Sequence, residues 1–158
     1  MKQKTKTFIF YVATALAVGL LSALLTNGGA NVFDQAFEPP LLPPAWLFPV
    51  VWTILFTLMG VSAAKIRLDT TAPPKQINSA LSTYTLSLVV NFFWSIIFFK
   101  LKWFLFAFLW LLLLLFLIAQ TITKYRKINK TAALLQLPYL LWVGFAGYLT
   151  FAIWWLNK

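Results

Sequence analysis

The chain has 158 residues, of which 61% are hydrophobic and 10% are charged, and its mean hydropathy is +0.83. This composition excludes an ordinary soluble domain and is typical of an integral membrane protein. The formal net charge is +10, and the sequence contains no cysteine and no histidine. Disulfides, thiolate chemistry and nearly every transition-metal or haem-iron ligand set are thereby excluded, so we predict no metal site and no required cofactor.

Five apolar runs approach the roughly 20 residues that a helix needs to cross a bilayer. They cover approximately residues 8–25, 46–64, 79–99, 103–122 and 132–155. The first run exceeds the roughly 7–15 apolar residues of a signal peptide and has no obvious small-residue cleavage site, so we interpret it as a span. We therefore predict an all-α integral membrane protein in which residues 1–158 form a single domain, a bundle of five transmembrane helices.

The cationic side chains are divided unequally between the two sides of such a bundle. Ten of the 13 lie in the N-terminal segment and in the second and fourth loops. These ten are Lys2, Lys4, Lys6, Lys65, Arg67, Lys75, Lys124, Arg126, Lys127 and Lys130, whereas Lys100, Lys102 and Lys158 lie on the other side. In the inner (plasma) membrane of a bacterial cell, the positive-inside rule predicts a cytoplasmic N-terminus and an external C-terminus. Cations in short loops suit an anionic leaflet, so no nucleic-acid partner is expected.

The longest segment between spans covers residues 26–45 and contains Asp34 and Glu38, two of the three acidic residues. Loops of this length in compact proteins are often functional. Because the segment is also rich in apolar residues, we expect it to pack over the helix ends, as a lid over a cavity or as a tether at the membrane surface. Pro43 and Pro44 predict the start of the second helix, since proline is tolerated in a first helical turn.

Small and polar side chains recur every four residues in the third span, at Ser79, Thr83, Ser87, Asn91 and Ser95. Such a stripe permits close helix packing, within the bundle or across a dimer. Asn91 differs from the hydroxyl residues because a buried amide is costly to leave unsatisfied, and it shares a helix side with Trp94. We therefore expect Asn91 to reach a ligand.

In the fifth span, Pro138 removes a backbone donor and predicts a kink or a loosened turn. Trp142, Ala146 and Leu149 then share one helix face, with Phe145 alongside. The small side chain of Ala146 leaves room beside a flat indole, which suits a planar guest or, equally, close helix packing.

Eight tryptophans exceed what two interfacial aromatic belts need. Trp103, Trp154 and Trp155 lie at span ends and are explained as belt residues, and Trp46 is either an anchor or a rim residue. The deeper tryptophans predict the lining of a small-molecule pocket; they are Trp52, Trp94 and Trp142. No acidic residue falls within a span, which argues against a proton-driven pump.

A family resemblance rests on three motifs that occur in order along the chain. They are WLFPVVWTILFTLMG in the second span, NFFWSIIFF in the third and LPYLLWVGFAGYLT in the fifth. The chain resembles the translocator protein family, also called the tryptophan-rich sensory protein or peripheral-type benzodiazepine receptor family, over essentially its whole length. The resemblance implies a five-helix bundle, commonly a homodimer, with a pocket closed by the first loop. It also implies that the pocket binds porphyrins such as protoporphyrin IX, and synthetic isoquinoline carboxamide or benzodiazepine ligands.

Residue by residue, the resemblance implies ligand contacts for Trp52, Asn91 and Trp142, and a role in tuning affinity for Ala146. The predicted ligand-binding set is Trp46, Trp52, Phe56, Asn91, Trp94, Trp142, Phe145, Ala146 and Leu149. The leading function is a membrane receptor or sensor. Two alternatives stay open: light-dependent degradation of protoporphyrin, in which Trp52 and Trp142 would be catalytic, and passive transport of a tetrapyrrole or lipid cargo.

The sequence departs from the animal pattern in two places. The cholesterol-recognition motif needs Lys or Arg within five residues of its tyrosine, and Phe151 and Trp155 stand where that motif has its Tyr and Arg. No sterol partner is therefore expected. The fourth span also lacks the aspartate that animal members carry.

Overall fold

A computed structural model describes residues 2–27 and 38–158, and this part of the chain is helical, without a strand. The helices are α1 (Lys2–Leu25), α2 (Leu47–Arg67), α3 (Pro74–Ser95), α4 (Phe104–Arg126), α5 (Lys130–Leu135) and α6 (Leu137–Leu156), and a π-helical turn, Ile96–Lys100, extends α3. Taken with that turn, α3 forms one span and α5 with α6 forms another, so the described residues contain five helices long and apolar enough to cross a membrane. The predicted five-helix membrane bundle is confirmed.

The helices extend beyond the predicted apolar runs at the end of the bundle that carries most of the cations. For example, α1 begins at Lys2 instead of residue 8. Lysine is a good helix former and its long stem lets the ammonium group reach the headgroup region. At the opposite end, α2 begins at Leu47, later than predicted, and the Leu47 N–H donates to the carbonyl of Pro44 at 2.9 Å. Pro49, not Pro44, lies in the first helical turn.

Close helix contacts hold the bundle together: α1 packs on α2, α3 on α4, and α4 on α6, while α5 contacts both α2 and α4. The crossing of α1 and α2 is close enough that a Cβ built at Gly60 would lie 2.5 Å from the Cα of Val12 and 2.8 Å from the carbonyl oxygen of Tyr11. The apolar α4 buries one side against its neighbours, where Leu114 is fully buried, while Phe116 on its other side is 58% exposed.

The polar stripe of α3 packs within the bundle. The Nζ of Lys124 on α4 donates to the Oγ of Ser79 at 3.0 Å and to the Oγ1 of Thr83 at 2.8 Å. Further along the stripe, Ser87 and Asn91 are buried. Two stripe residues thus bond to α4 and two more are buried within the bundle, while packing of the stripe across a dimer stays a prediction.

The loosened turn predicted around Pro138 is present and separates α5 from α6 at Gln136. The Gln136 N–H donates to the carbonyl of Ala133 at 3.1 Å, which leaves the carbonyl of Ala132 for another donor. The Oγ of Ser62 on α2 takes that role at 2.7 Å, and the Nε2 of Gln136 donates to the same Oγ at 3.2 Å. A buried serine of α2 therefore satisfies the break in the fifth span.

Candidate ligand-binding site

Aromatic side chains from three helices meet around Trp52 of α2. Its ring stacks on Phe56, with centroids 5.5 Å apart and an interplanar angle of 30°. The centroid of Trp94 on α3 lies 6.4 Å away, and that of Tyr139 on α6 lies 6.3 Å away. We call Trp52, Phe56, Trp94 and Tyr139 the inner aromatic cluster. It connects three spans through rings that offer flat, polarisable surface to a ligand.

The spacing on α2 explains how this cluster arises. Phe48, Trp52 and Phe56 are four residues apart, so they follow one helix face. Behind Phe56 lies Gly19 of α1: a Cβ built there would be 2.5 Å from the Cε2 of the Phe56 ring. The ring is thus held between the backbone of α1 and the indole of Trp52.

A second aromatic group lies between α2 and α6. The centroids of Phe48 and Trp142 are 6.0 Å apart, those of Trp142 and Phe145 are 5.6 Å apart, and those of Phe145 and Tyr148 are 6.2 Å apart. We call these four residues the outer aromatic cluster. The hydroxyl of Tyr148 donates to the carbonyl of Pro40 at 3.1 Å, so the end of the 26–45 segment lies on this cluster. Residues 28–37 are outside the described part of the chain, and the lid stays a prediction.

Three polar atoms of the site are buried without a hydrogen-bond partner among residues 2–27 and 38–158: the Nδ2 of Asn91, the Nε1 of Trp94 and the hydroxyl of Tyr139. The Asn91 side chain lies near enough to the Tyr139 hydroxyl to interact with it electrostatically, although the pair does not have the geometry of a hydrogen bond. Trp94 and Tyr139 both contact Trp52. An unsatisfied buried group costs about 1–3 kcal/mol. The hydroxyls of Tyr84 and Tyr125, outside the two aromatic clusters, are also buried without a partner among the described residues, and what distinguishes the three donors of the site is their place on or beside the inner aromatic cluster.

Trp110 of α4 shows the opposite arrangement. Its Nε1 donates to the carbonyl of Val90 at 2.8 Å, a contact that ties α4 to α3. The indole N–H of Trp110, which joins two helices, is thus satisfied. The indole N–H of Trp94, which is only 5% exposed, has no such partner among the described residues, and Trp94 differs from Trp110 in this respect.

The inner face of α6 has room beside the small residues. Ala146 and Leu149 are 8% and 5% exposed. Gly147 is also buried, yet a Cβ built on it would meet no atom within 4 Å. Space for a methyl group therefore exists beside Gly147, the residue that follows Ala146.

The structure brings most of the predicted site residues together, in two groups. Trp52, Phe56 and Trp94 belong to the inner cluster with Asn91 beside them, and Trp142 and Phe145 belong to the outer cluster. Ala146 and Leu149 line the buried face of α6. Trp46 is 65% exposed at the start of α2 and, within the described residues, has no ring contact with either cluster.

Sequence reasoning missed three contributors, Phe48, Tyr139 and Gly19. Phe48 precedes Trp52 by one turn, and Tyr139 precedes Trp142 by three residues, so helical spacing from the predicted tryptophans would have found both. Gly19 gave no signal, because its role is to leave space for a ring that belongs to another helix.

The TspO/MBR family model matches residues 11–156 of this chain. The Tryptophan-rich protein TspO of Chlorobaculum tepidum is 35% identical over 158 residues, 99% of each chain. The Translocator protein of Bos taurus is 31% identical over 137 residues, 86% of this chain and 81% of the bovine one. The Tryptophan-rich sensory protein of Cereibacter sphaeroides is 29% identical over 144 residues, covering 91% and 87% of the two chains. The resemblance carried by the three motifs is confirmed, and this multi-pass membrane protein belongs to the TspO/MBR family.

Proposed function

We propose that this protein is a membrane receptor or sensor for planar tetrapyrroles such as protoporphyrin IX, and that the same site accepts isoquinoline carboxamide and benzodiazepine-type ligands. The observation that carries the proposal is the group of buried, unpartnered polar atoms on Asn91, Trp94 and Tyr139 inside an aromatic cluster. Flat apolar surface supplies affinity, and a few polar groups fix the orientation of the guest.

The chemistry of protoporphyrin IX matches both parts of the site. Its macrocycle is planar and stacks on the faces of Trp52 and Trp142, one from each aromatic cluster. Its two propionate groups are acceptors for the amide Nδ2 of Asn91, the indole N–H of Trp94 and the hydroxyl of Tyr139. A charged acceptor forms stronger hydrogen bonds than a neutral one, so the carboxylates gain most from these donors.

Because the rings of Trp52 and Phe56 are stacked on one another, a guest has to separate or re-angle them. The space beside Gly147 and the partial exposure of Trp52 and Trp142 favour entry between α2 and α6. There, aromatic side chains from the two helices contact each other through Phe48 and Trp142. At the other end, α2 and α5 are joined by the hydrogen bonds of Ser62.

The sequences of α1 to α6 contain no Asp or Glu. Ion-coupled transport relies on ionisable groups inside the membrane, so a receptor or a passive carrier fits this bundle better than a pump.

The direct test is a titration of the purified protein with protoporphyrin IX in the dark, followed through tryptophan emission. The site variant is Trp52→Phe with Trp142→Phe. The matched control is Trp103→Phe with Trp155→Phe, which removes two exposed tryptophans from span ends. We expect saturable quenching in the wild type and the control, and weakened binding in the site variant. Linear quenching that is identical in all three proteins would mean partition into detergent and would reject the proposal.

We also propose an inner-membrane location with a cytoplasmic N-terminus and an external C-terminus, and a homodimer. The ten cations on the N-terminal side support the orientation. Since the sequence contains no cysteine, single cysteines at Lys2 and Lys158 report orientation directly. An impermeant maleimide added to intact spheroplasts should label the second and not the first. Native mass spectrometry of the wild type tests the dimer.

A further inference from the structure

Two tyrosine hydroxyls are buried between α3 and α4, outside the two aromatic clusters. Tyr84 of α3 is 3% exposed and Tyr125 of α4 is fully buried, and neither hydroxyl has a hydrogen-bond partner among residues 2–27 and 38–158. Their ring centroids are 6.4 Å apart, near enough for the two hydroxyls to interact electrostatically, but they do not bond to each other. Phenylalanine would supply the same rings without the cost of an unsatisfied hydroxyl, so packing alone does not explain the two tyrosines.

Helical spacing brings two more hydroxyl groups to this part of the interface. Ser87 follows Tyr84 by three residues and Thr121 precedes Tyr125 by four, so each lies one turn from a tyrosine on the same side of its helix. Both are 1% exposed. The Oγ of Ser87 donates to the carbonyl of Tyr84 at 2.7 Å, and the Oγ1 of Thr121 donates to that of Leu117 at 2.9 Å. Each of these hydroxyls has only one proton, which is thus used, while its oxygen can still accept a hydrogen bond.

These hydroxyl groups lie within the membrane-spanning part of the bundle. Two contacts, of Lys124 with Thr83 and of Trp110 with the carbonyl of Val90, fix the register of α4 against α3 in this region. Tyr84 lies roughly 15 Å along α3 from its first residue, at 1.5 Å per residue. That position is well inside a hydrocarbon core roughly 30 Å thick, where lipid tails offer no hydrogen-bond partner. A partner for the two phenols must therefore lie between the helices.

We propose that Tyr84 and Tyr125 bind buried water at this interface, with Ser87 and Thr121 as further acceptors, and we call this the tyrosine water site. A buried water makes about three hydrogen bonds, and a site keeps water when it is polar enough to supply them. The two phenols can both donate and accept, and the two hydroxyl oxygens can accept, so the site meets that requirement. A metal ion is a poorer occupant, because the sequences of α3 and α4 contain no acidic residue to balance its charge.

The tyrosine water site adjoins the inner aromatic cluster without belonging to it. Tyr84 is near enough to Tyr139 of that cluster to interact with it electrostatically. Water bound by Tyr84 and Tyr125 extends the polar region around Tyr139 and Asn91 towards α4. Hydration of the two phenols requires no guest in the aromatic clusters, so the water site and the tetrapyrrole site can be tested separately.

The first test is hydroxyl-radical footprinting of the purified full chain, in which brief X-ray irradiation splits water and the radicals modify the side chains beside it. Mass spectrometry gives the modification rate of each residue, which is divided by the intrinsic reactivity of that side chain. The control residue is Phe98, which is 3% exposed and packs against the rings of Trp94 and Phe104. We expect Tyr84 and Tyr125 to be modified several-fold faster than Phe98. Rates no higher than that of Phe98 would show that the two hydroxyls are dry and would overturn the proposal.

The second test uses Tyr84→Phe, Tyr125→Phe and the double variant, which keep the rings and remove the hydroxyls. If the hydroxyls bind water, each substitution should lower the unfolding midpoint by about 2–4 °C. The double variant should lose less than the sum, because both substitutions release the same water. Two dry hydroxyls would give the opposite sign: each substitution would remove an unsatisfied group and raise the midpoint, and the proposal would fail.

Footprinting of the variants shows whether the hydroxyls themselves hold the water. In the double variant, the modification rates at positions 84 and 125 should fall to that of Phe98. The matched control is Tyr148→Phe, which removes an exposed hydroxyl bonded to the carbonyl of Pro40 and should leave both rates unchanged. If the double variant keeps the rates of the wild type, the radicals reach these positions from bulk solvent, and the tyrosine water site does not exist.

Discussion

The ring of Phe56 lies against the backbone of Gly19, across the interface of α1 and α2, where a side chain at residue 19 would otherwise stand. Gly19→Ala would place a methyl carbon 2.5 Å from the ring edge and force Phe56 towards Trp52. We expect a loss of about 1–3 kcal/mol in unfolding free energy, as for other overpacked sites, together with weaker porphyrin binding. Denaturation and dark titration measure the two effects. Gly144→Ala is the matched control, since its Cβ would meet nothing within 4 Å.

Gly60→Ala should destabilise the protein more than Gly19→Ala. The obstacle at residue 60 is the backbone of α1, at Val12 and Tyr11, and a backbone cannot rotate out of the way as a phenyl ring can. We expect α1 to separate from α2 in this variant and the unfolding midpoint to drop furthest among the glycine variants. A Gly60→Ala protein as stable as Gly144→Ala would show that the two helices do not cross as closely as described.

The Asn91→Leu variant tests whether the Asn91 amide donates to a ligand or stabilises the core. Because the Nδ2 has no partner among the described residues, its removal should leave the stability of the ligand-free protein unchanged or raise it. Affinity for protoporphyrin IX should fall about tenfold, whereas affinity for its dimethyl ester, which lacks the charged carboxylates, should fall less. A large loss of ligand-free stability, with equal affinity losses for both porphyrins, would assign Asn91 to the core instead.

Ser62→Ala should cost about 1–3 kcal/mol, because it leaves the Ala132 carbonyl and the Gln136 side chain buried without their partner. Adding Gln136→Leu removes one of the two orphaned groups and should recover part of the loss. The double-mutant cycle, measured by thermal denaturation in detergent, should therefore show coupling between the two positions. Additive losses would mean that the hydrogen bonds seen between them do not contribute to stability.

Trp110→Phe provides the counterpart to variants of the tryptophans in the two aromatic clusters. It removes the indole N–H that donates to Val90 and should lower the unfolding free energy by about 1 kcal/mol. Porphyrin affinity should be unchanged, because Trp110 belongs to neither aromatic cluster. If affinity falls as far as in Trp52→Phe, the contact between α3 and α4 also shapes the site.

The number and approximate limits of the spans could be predicted from sequence because a bilayer demands continuous apolar length. The aromatic site was predictable in outline for a related reason: Trp52, Trp94 and Trp142 lie deeper than belt residues need to. What the pattern could not give was the partner of each side chain. Ser62 and Gln136 are 74 residues apart and their hydrogen bond has no local signature. The same holds for Gly19 and Phe56, which meet only because α1 and α2 cross closely.

The break at Gln136 divides the fifth span into two rods, α5 and α6. They cross the membrane together, but their backbone hydrogen bonds do not form one continuous series. An unbroken helix of 27 residues would carry any change of tilt along its whole length. Here the short rod, Lys130–Leu135, is held to α2 by Ser62, and the long rod, Leu137–Leu156, carries Tyr139 of the inner aromatic cluster and Trp142, Phe145 and Tyr148 of the outer one. The turn at Gln136 can accommodate a change in tilt of the long rod, so the loops at the cation-rich end need not move with it. Both rods contact α2 and α4, so these two helices connect the long rod to the loops at the cation-rich end.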